Sequence, residues 1–283
     1  MKFYNGIEST SGIVEGYSAF LKHVSSRVPE VEVSLPVLSS QHGVGDSVLV
    51  PGCPSMSGKP VAVRARLFHW VEGDTMYSAG SSPLLLLQMG RALGRVTACL
   101  VDFDHPSFHR KFAWDICSFT SVKPFVKYIP EDAMRALVDK TFVDFETRLN
   151  ADSDAVFRQS VVFGDCNDAN VIVRDGRVTG LIDVGDATYT WTVNDVAICM
   201  AYAVLSSWGQ QHPRRALAAV LTGYVWAAPL KADECSRLLG LIRCRLATSI
   251  ACGAYSISKV QVVCLVAVAG FLLPSVTHTT LHP

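Results

Sequence analysis

The most constraining feature of this sequence is a polar segment set between apolar, β-prone runs, VVFGDCNDANVIVRDGRVTGLIDVGD at residues 161–186. The Asp-Gly pair in RDGR is typical of a two-residue turn, and the runs NVIV and VTGLIDV beside it predict the two strands of a hairpin. Antiparallel pairing returns Asp183 to the loop that contains Asp165 and Asn170. We therefore expect these three side chains to lie in one small volume.

Such a cluster of acids has a definite chemical use. Carboxylates repel one another unless a cation or a proton lies between them, and Mg²⁺ takes carboxylate and amide oxygens beside phosphate oxygens. A further acid could orient a hydroxyl group and accept its proton. Any single Asp or Asn here is explained more simply as a turn residue. The compound pattern of D-x-x-x-x-N, a hairpin and I-D-x-G-D favours a phosphotransferase site.

The remaining sequence predicts a small β-rich part followed by a larger helical part. Residues 1–80 contain short β-prone pieces, a Gly/Ser/Pro-rich loop at 39–60 and one helix over about 12–25. From Ser82, an expected N-cap followed by Pro83, the apolar spacing becomes helical. We therefore predict an α+β fold whose single β-hairpin in the helical part carries the acids.

The composition indicates which partners and which cellular compartment to expect. Lys+Arg and Asp+Glu are balanced at 25 each, so we expect neither a nucleic acid nor an anionic membrane as partner. Nine cysteines without a CxxC pair or a zinc-site spacing favour a reducing cytoplasm, as does an N-terminus without a signal-peptide pattern. The apolar residues 260–276 approach the roughly 18 that a membrane span requires. Pro274 and the short length favour a soluble protein, with a span as the alternative.

The segments FGDCNDANVIV and GLIDVGDATYTWTVNDVAICMAYAVL resemble the catalytic and metal-binding segments of the aminoglycoside phosphotransferase/choline kinase superfamily. Within that superfamily they are most similar to the hydroxylysine kinase subgroup. The resemblance implies a protein-kinase-like, two-lobe fold. Residues 1–80 would form a reduced, nucleotide-binding N-lobe with the hinge, and residues 81–283 a mainly helical C-lobe that carries the catalytic hairpin.

The same resemblance implies roles for individual residues. Asp165 corresponds to the catalytic base, and Asn170 and Asp183 to the ligands of Mg²⁺. Lys2 corresponds to the lysine that contacts the nucleotide phosphates, and Glu15 to its partner on the following helix. A solvated surface pair is the alternative for Lys2 and Glu15.

Candidates for the acceptor site lie in these segments and elsewhere in the chain. Asp186 is expected to face an ammonium group of the acceptor, and Arg245 is a candidate partner for a carboxylate. The aromatic candidates are Trp114, Tyr189 and Trp191, for which positions in the core are the alternative.

The implied activity is transfer of the γ-phosphoryl group of GTP or ATP to a hydroxyl of an amino acid or amino alcohol, with 5-hydroxy-L-lysine as the leading acceptor. Phe163 stands where the family usually has His, and Val184 where it usually has an aromatic residue. The chain also begins at the lysine strand, without the two strands and the phosphate-covering loop that precede it in the family. We therefore expect an N-terminally truncated member, with an inactive pseudokinase or truncated gene product as the alternative. The resemblance also implies that Asp195 braces the catalytic loop, with a direct chemical role as the alternative.

Overall fold

The computed structural model describes residues 1–5, 8–9, 11–37, 47–53, 61–149 and 157–272, with side chains except at 61 and 260–272. Its strands are β1 (Lys2–Phe3), β2 (Glu32–Val33), β3 (Val48–Cys53), β4 (Val61–Arg66), β5 (Asp74–Thr75), β6 (Gln159–Val162), β7 (Val171–Arg174), β8 (Arg177–Leu181) and β9 (Thr188–Trp191). Its helices are α1 (Ile13–Arg27), α2 (Met76–Ala79), α3 (Pro83–Cys99), α4 (Asp132–Asp144), α5 (Val193–Ser206), α6 (Pro213–Val225) and α7 (Ala232–Leu272). Two 3₁₀ segments and a π-helical turn complete the order at Pro106–Phe108, Ile116–Tyr128 and Phe145–Leu149.

The described strands form three sheets. The first has the antiparallel order β1-β4-β3, and the second has the order β2-β8-β7-β5, in which β2 runs parallel to β8. The third pairs β6 with β9 antiparallel. The predicted hairpin is therefore confirmed as β7 and β8, at the centre of the second sheet.

The turn of this hairpin has the backbone that its sequence predicts. Asp175 and Gly176 both have positive φ angles, 53° and 71°. Positive φ at both central residues defines the turn whose twist matches two antiparallel strands. The register then sets Val171 opposite Leu181, so that the residues following β8 return to those preceding β7.

Three strand assignments differ from the sequence prediction. Strand β2 lies within the β-rich part predicted over residues 1–80, but it pairs with β8 of the hairpin sheet. The Gly/Ser/Pro-rich stretch holds β3, which pairs with β4. The pair β6–β9 adds a second β unit to the helical part. For β2 and for the pair β6–β9 the partner strand is distant in sequence, and pairing of this kind overrides local composition. Strand β3 instead pairs with β4, the next strand along the chain.

The helices follow the predicted periodicity. Helix α1 buries Tyr17, Phe20 and Val24, three of the positions expected to face the core. Ser82 caps α3 because its Oγ accepts a hydrogen bond from the Leu85 amide at 3.2 Å, and Pro83 lies in the first turn. The core is centred on α5, which contacts α3, α6 and α7 and whose first nine residues are all buried.

Helix α7 passes a simple test for a membrane span. Its part Ala232–Lys259 is long and apolar enough to cross a membrane, with a mean hydropathy of 1.2 over 18 residues, but half of those residues are buried inside the fold. The core helix of a soluble protein meets the same criteria. The side chains of the predicted apolar segment 260–276 lie outside the described residues.

The boundary predicted near residue 80 stays a prediction. The hairpin sheet takes β2 and β5 from before that position and β7 and β8 from after it. The two parts of the chain are thus joined by strand pairing as well as by the connecting segment.

Candidate active site

The loop that follows β6 is fixed by a buried carboxylate. Asp195, on α5, is fully buried and accepts hydrogen bonds from the amides of Gly164 at 2.9 Å and Phe163 at 3.2 Å. Its second oxygen also accepts from Thr97 Oγ1 at 2.9 Å. Burial raises the pKa of Asp195 to about 6. These are the contacts expected of a residue that braces the loop.

Gly164 lets the loop approach the segment after β8. Its φ is 82°, in the left-handed region, and a Cβ built on it would overlap the carbonyl oxygen of Asp186. Only glycine meets both conditions without strain. The next residue, Asp165, is thereby brought beside Asp186.

Asp165 has a fixed carboxylate that still faces solvent. Its Oδ2 accepts hydrogen bonds from Asn167 Nδ2 at 2.9 Å and Asn170 Nδ2 at 3.0 Å. Its Oδ1 accepts from Arg245 Nη2 at 2.8 Å. The side chain is 24% exposed. Both oxygens are therefore oriented, while an opening to solvent remains.

The hairpin returns Asp183 to this loop, as predicted. The Ile182 amide donates to the Asn170 carbonyl oxygen at 2.9 Å. Asp183 follows with a φ of 60°, a conformation uncommon for a residue other than glycine, and its Oδ1 accepts from the Gly185 amide at 3.0 Å. Lys2 Nζ donates to the same Oδ1 at 2.6 Å. The first strand and the hairpin meet at this ion pair.

The predicted pairing of Lys2 with Glu15 is wrong. Glu15 forms a short ion pair with Arg64, which lies on β4 beside the first turn of α1. Arg64 thus takes the place expected for Lys2 beside Glu15, and Lys2 forms its ion pair with Asp183 instead. The expected contact of Lys2 with nucleotide phosphates stays a prediction.

Asp186 is the second acid at the opening. Burial is the main cause that raises its pKa to about 6, and the charge of Asp165 adds to the effect. Arg245 and Arg110 act in the opposite direction. The Arg245 Nη2 lies 3.9 Å from Asp186 Oδ2, so one guanidinium faces both carboxylates.

The aromatic candidates have different surroundings. Trp114 adjoins the cluster, since its carbonyl oxygen accepts from Arg245 Nη1 at 2.8 Å. Tyr189, a partly exposed residue of β9, stacks on His109 with ring centroids 4.4 Å apart. Trp191 is 3% exposed and packs against Phe157, which makes it a core residue. Phe163 is likewise in the core, with its ring 6.5 Å from that of Phe20.

Sequence reasoning missed two residues that hold the segment after Asp183. Arg110 Nη2 donates to the carbonyl oxygens of Gly185 at 2.6 Å and Ala187 at 3.0 Å. Tyr17 Oη donates to the same Gly185 oxygen at 2.7 Å. No local pattern marks either contact.

The role of Arg245 was also missed, although the sequence contains a signal for it. The guanidinium occupies a buried position of α7, with Leu241 before it and Thr248 after it on the same face. A charged residue within an apolar helical stripe indicates a buried partner. That partner is Asp165.

Among the described residues, no group of three or more His, Cys, Asp or Glu side chains has the arrangement of a metal site. The oxygens of Asn170 and Asp183 at the end of the hairpin are hard donors of the kind that Mg²⁺ takes. An amide and a carboxylate therefore fit a divalent ion that takes its other ligands from water and phosphate.

Comparison with known proteins identifies the family. A family model described as the phosphotransferase enzyme family matches residues 13–235. The chain belongs to the phosphotransferase enzyme family. The family match includes Asp165, Asn170 and Asp183, whereas Lys2 and Arg245 lie outside it.

Curated relatives of this family member are named hydroxylysine kinase. The protein from Bos taurus is 26% identical over 204 residues, which cover 68% of this chain and 53% of the relative. The protein from Xenopus laevis is 23% identical over 207 residues, covering 68% and 54%. The chain spans about half the length of the curated relatives it matches.

Solved structures confirm the predicted α+β, protein-kinase-like fold of the family. The amicoumacin kinase hAmiN, in complex with AMP-PNP, Ca²⁺ and Ami, has a TM-score of 0.64 at 15% identity, covering 88% of this chain and 71% of the other. The aminoglycoside phosphotransferase APH(3'')-Id from Streptomyces rimosus, in complex with ADP and streptomycin, has a TM-score of 0.53 at 18% identity, covering 86% and 85%.

Proposed function

We propose that this chain transfers the γ-phosphoryl group of a nucleoside triphosphate to the hydroxyl group of a small acceptor. The observation that carries the proposal is the carboxylate of Asp165, which is oriented through both oxygens and is still 24% exposed. A general base needs this combination of fixed geometry and access. Membership of the phosphotransferase enzyme family supports the assignment.

The reaction assigns a separate task to each part of the site. Asp165 would orient the acceptor hydroxyl and take its proton as the hydroxyl oxygen forms the new bond to the γ-phosphorus. The bond from that phosphorus to the bridging oxygen breaks, and the nucleoside diphosphate leaves with the electron pair. Such reactions depend mainly on positioning and on charge neutralisation, which suits a loop held by Asp195.

The nucleotide would lie at the corner where Lys2 meets Asp183. Lys2 is half-buried and forms its ion pair at the end of the hairpin, so it could exchange Asp183 for a phosphate oxygen. We assign Mg²⁺ to Asn170 and Asp183, where it would neutralise charge on the phosphate oxygens. The nucleotide and divalent ion in the complex of the amicoumacin kinase support this assignment.

We propose 5-hydroxy-L-lysine as the acceptor and GTP or ATP as the donor. The names of the curated relatives support the acceptor. The site also suits a cationic molecule, because Asp165 and Asp186 stand together at its opening and Asp186 is not fully neutralised by Arg245 at 3.9 Å. An acceptor ammonium group beside Asp186 would reduce the repulsion between the two acids.

The test is nucleoside diphosphate release by the purified chain with Mg²⁺, GTP or ATP and 5-hydroxy-L-lysine, measured against an acceptor-free control. Asp165→Asn keeps the shape of the side chain and removes its basicity, so we expect turnover to fall at least about 100-fold. The matched control is Asp175→Asn in the hairpin turn, an exposed site at the far end of β7 and β8.

Three outcomes separate the alternatives. Acceptor-dependent release that is lost in Asp165→Asn and kept in Asp175→Asn supports the kinase. Turnover that survives in Asp165→Asn contradicts the proposed base. A folded wild-type chain that binds nucleotide without turnover on a panel of amino acids, amino alcohols and aminoglycosides indicates a binding role.

A further inference from the structure

Arg245 occupies an unusual position for a charged side chain. It lies on α7, beyond residue 235, where the family match ends, and its side chain is only 2% exposed. A buried guanidinium is costly unless ion pairs and hydrogen bonds satisfy it. The surroundings of Arg245 meet that condition, and one of its partners is Asp165 of the candidate active site.

The guanidinium is held from three directions. Nη2 donates to Asp165 Oδ1 at 2.8 Å, Nη1 to the Trp114 carbonyl oxygen at 2.8 Å and Nε to Tyr202 Oη at 3.3 Å. The rings of Trp114 and Tyr202 flank it, with centroids 4.9 and 5.2 Å from Cζ. A planar cation held in this way has one orientation, and it transmits that orientation to the carboxylate that it binds.

The effect on Asp165 is specific. Arg245 holds Oδ1, while Asn167 and Asn170 hold Oδ2, so rotation of the carboxylate about its Cβ–Cγ bond would break hydrogen bonds on both sides. Without Arg245, the Oδ1 side would have no described donor. Asp165 would also face the nearby carboxylate of Asp186 without an intervening cation.

We propose that Arg245 is the positioning residue that sets the orientation of the Asp165 carboxylate toward the acceptor hydroxyl. The proposal rests on the proposed phosphotransferase function. It also replaces the expectation that Arg245 binds an acceptor carboxylate, because the guanidinium is buried and its donors are engaged within the protein. Helix α7 thus contributes to the site through one side chain.

The experiment compares Arg245→Met and Arg245→Lys with Arg243→Met, a matched control on the exposed face of the same helix. We expect kcat to fall about 100-fold in Arg245→Met, as for a misplaced catalytic group, with little change in the KM for nucleotide. Arg245→Lys keeps the charge and loses the planar fork, so it should retain intermediate activity. Millimolar guanidinium should partly restore Arg245→Met, because it replaces the missing ion.

Tyr202→Phe is a milder variant that tests the same idea if Arg245→Met fails to fold. It removes the acceptor of Nε and the 3.4 Å contact of Tyr202 Oη with Ser249 Oγ. We expect kcat to decrease less than in Arg245→Lys and more than in Arg243→Met. A kcat unchanged in folded Arg245→Lys and Tyr202→Phe, or a loss that guanidinium leaves unchanged, overturns the inference. Lack of acceptor-dependent turnover in the wild type would instead show that the proposed function is wrong.

Discussion

The two ends of the candidate site are built in different ways. The loop that carries Asp165 is held by two buried charged residues, Asp195 and Arg245, through hydrogen bonds of 2.8–3.2 Å. At the corner that joins β1 to the hairpin, Lys2 forms an ion pair with Asp183, and the two side chains are 36% and 49% exposed.

This difference indicates which geometry is fixed before substrates bind. Removing a partner from a buried hydrogen bond leaves the other group unsatisfied, which makes such contacts difficult to rearrange. An exposed ion pair contributes only about 0–1 kcal/mol and can exchange its partner. The carboxylate of Asp165, the proposed base, is therefore fixed in advance. The ion pair of Lys2 can rearrange, as the proposed contact of Lys2 with a nucleotide phosphate requires.

The largest expected effect comes from a substitution that distorts the loop carrying Asp165. Gly164→Ala introduces a Cβ that overlaps the Asp186 carbonyl oxygen at a position with a φ of 82°. We expect a loss of about 3 kcal/mol in the free energy of unfolding, from left-handed strain and overpacking together. Urea denaturation measures this loss, and turnover should fall with it because the loop and Asp186 must separate.

Gly176→Ala is the matched control for that change. Gly176 has a similar φ of 71°, but nothing lies within 4 Å of a Cβ built on it. Only the strain remains, so the expected cost is about 1 kcal/mol, with turnover unchanged. Equal costs at the two glycines would contradict the close approach of the loop to Asp186.

The sequence predicted those parts of the site that depend on local geometry. The Asp-Gly turn and the flanking β-prone runs set the hairpin, and the hairpin alone returns Asp183 to the loop of Asn170. The α+β class followed from the change of periodicity at Ser82. These features need only neighbouring residues, which is why they could be read without a structure.

The contacts that orient the site were not predictable in the same way. Asp165 and Arg245 are 80 positions apart, and Arg110 reaches Gly185 across 75. The partner of Lys2 was inferred from the family resemblance, and the structure pairs Lys2 with Asp183 instead. Only the packing of α1 against β4, which brings Arg64 to Glu15, decides between these two acids.

A second prediction uses the pH dependence of stability to test the burial of Asp195, which holds the loop of Asp165. Burial raises the pKa of Asp195 to about 6 from an ordinary value of 3.8. A carboxyl group of this kind contributes stability that is complete below 3.8 and is lost as pH rises through about 6. As pH rises from 3.8 to about 6, the ionisation of Asp195 should lower the free energy of unfolding by at most about 1.4 kcal/mol per pH unit.

Asp195→Asn removes this titration. The comparison is the difference in urea-unfolding free energy between the wild type and Asp195→Asn at pH 4, 5, 6 and 7. We expect the advantage of the wild type to shrink as pH rises, and the other titrating carboxyl groups cancel because both proteins contain them. Parallel stability curves would show that Asp195 has the same pKa in the folded and unfolded states.

The smallest expected effect on stability is at the ion pair between Lys2 and Asp183. Lys2→Met removes one partly exposed ion pair and should change the free energy of unfolding by no more than about 0.5 kcal/mol. If Lys2 exchanges Asp183 for a phosphate oxygen in the wild type, the KM of Lys2→Met for nucleotide should nevertheless be about tenfold higher. This is the effect expected from the loss of one charge-assisted hydrogen bond. Lys22→Met, an exposed lysine on α1, is the control for the change of charge. An unchanged KM together with a large loss of stability would assign Lys2 a purely structural role and remove the contrast between the two ends.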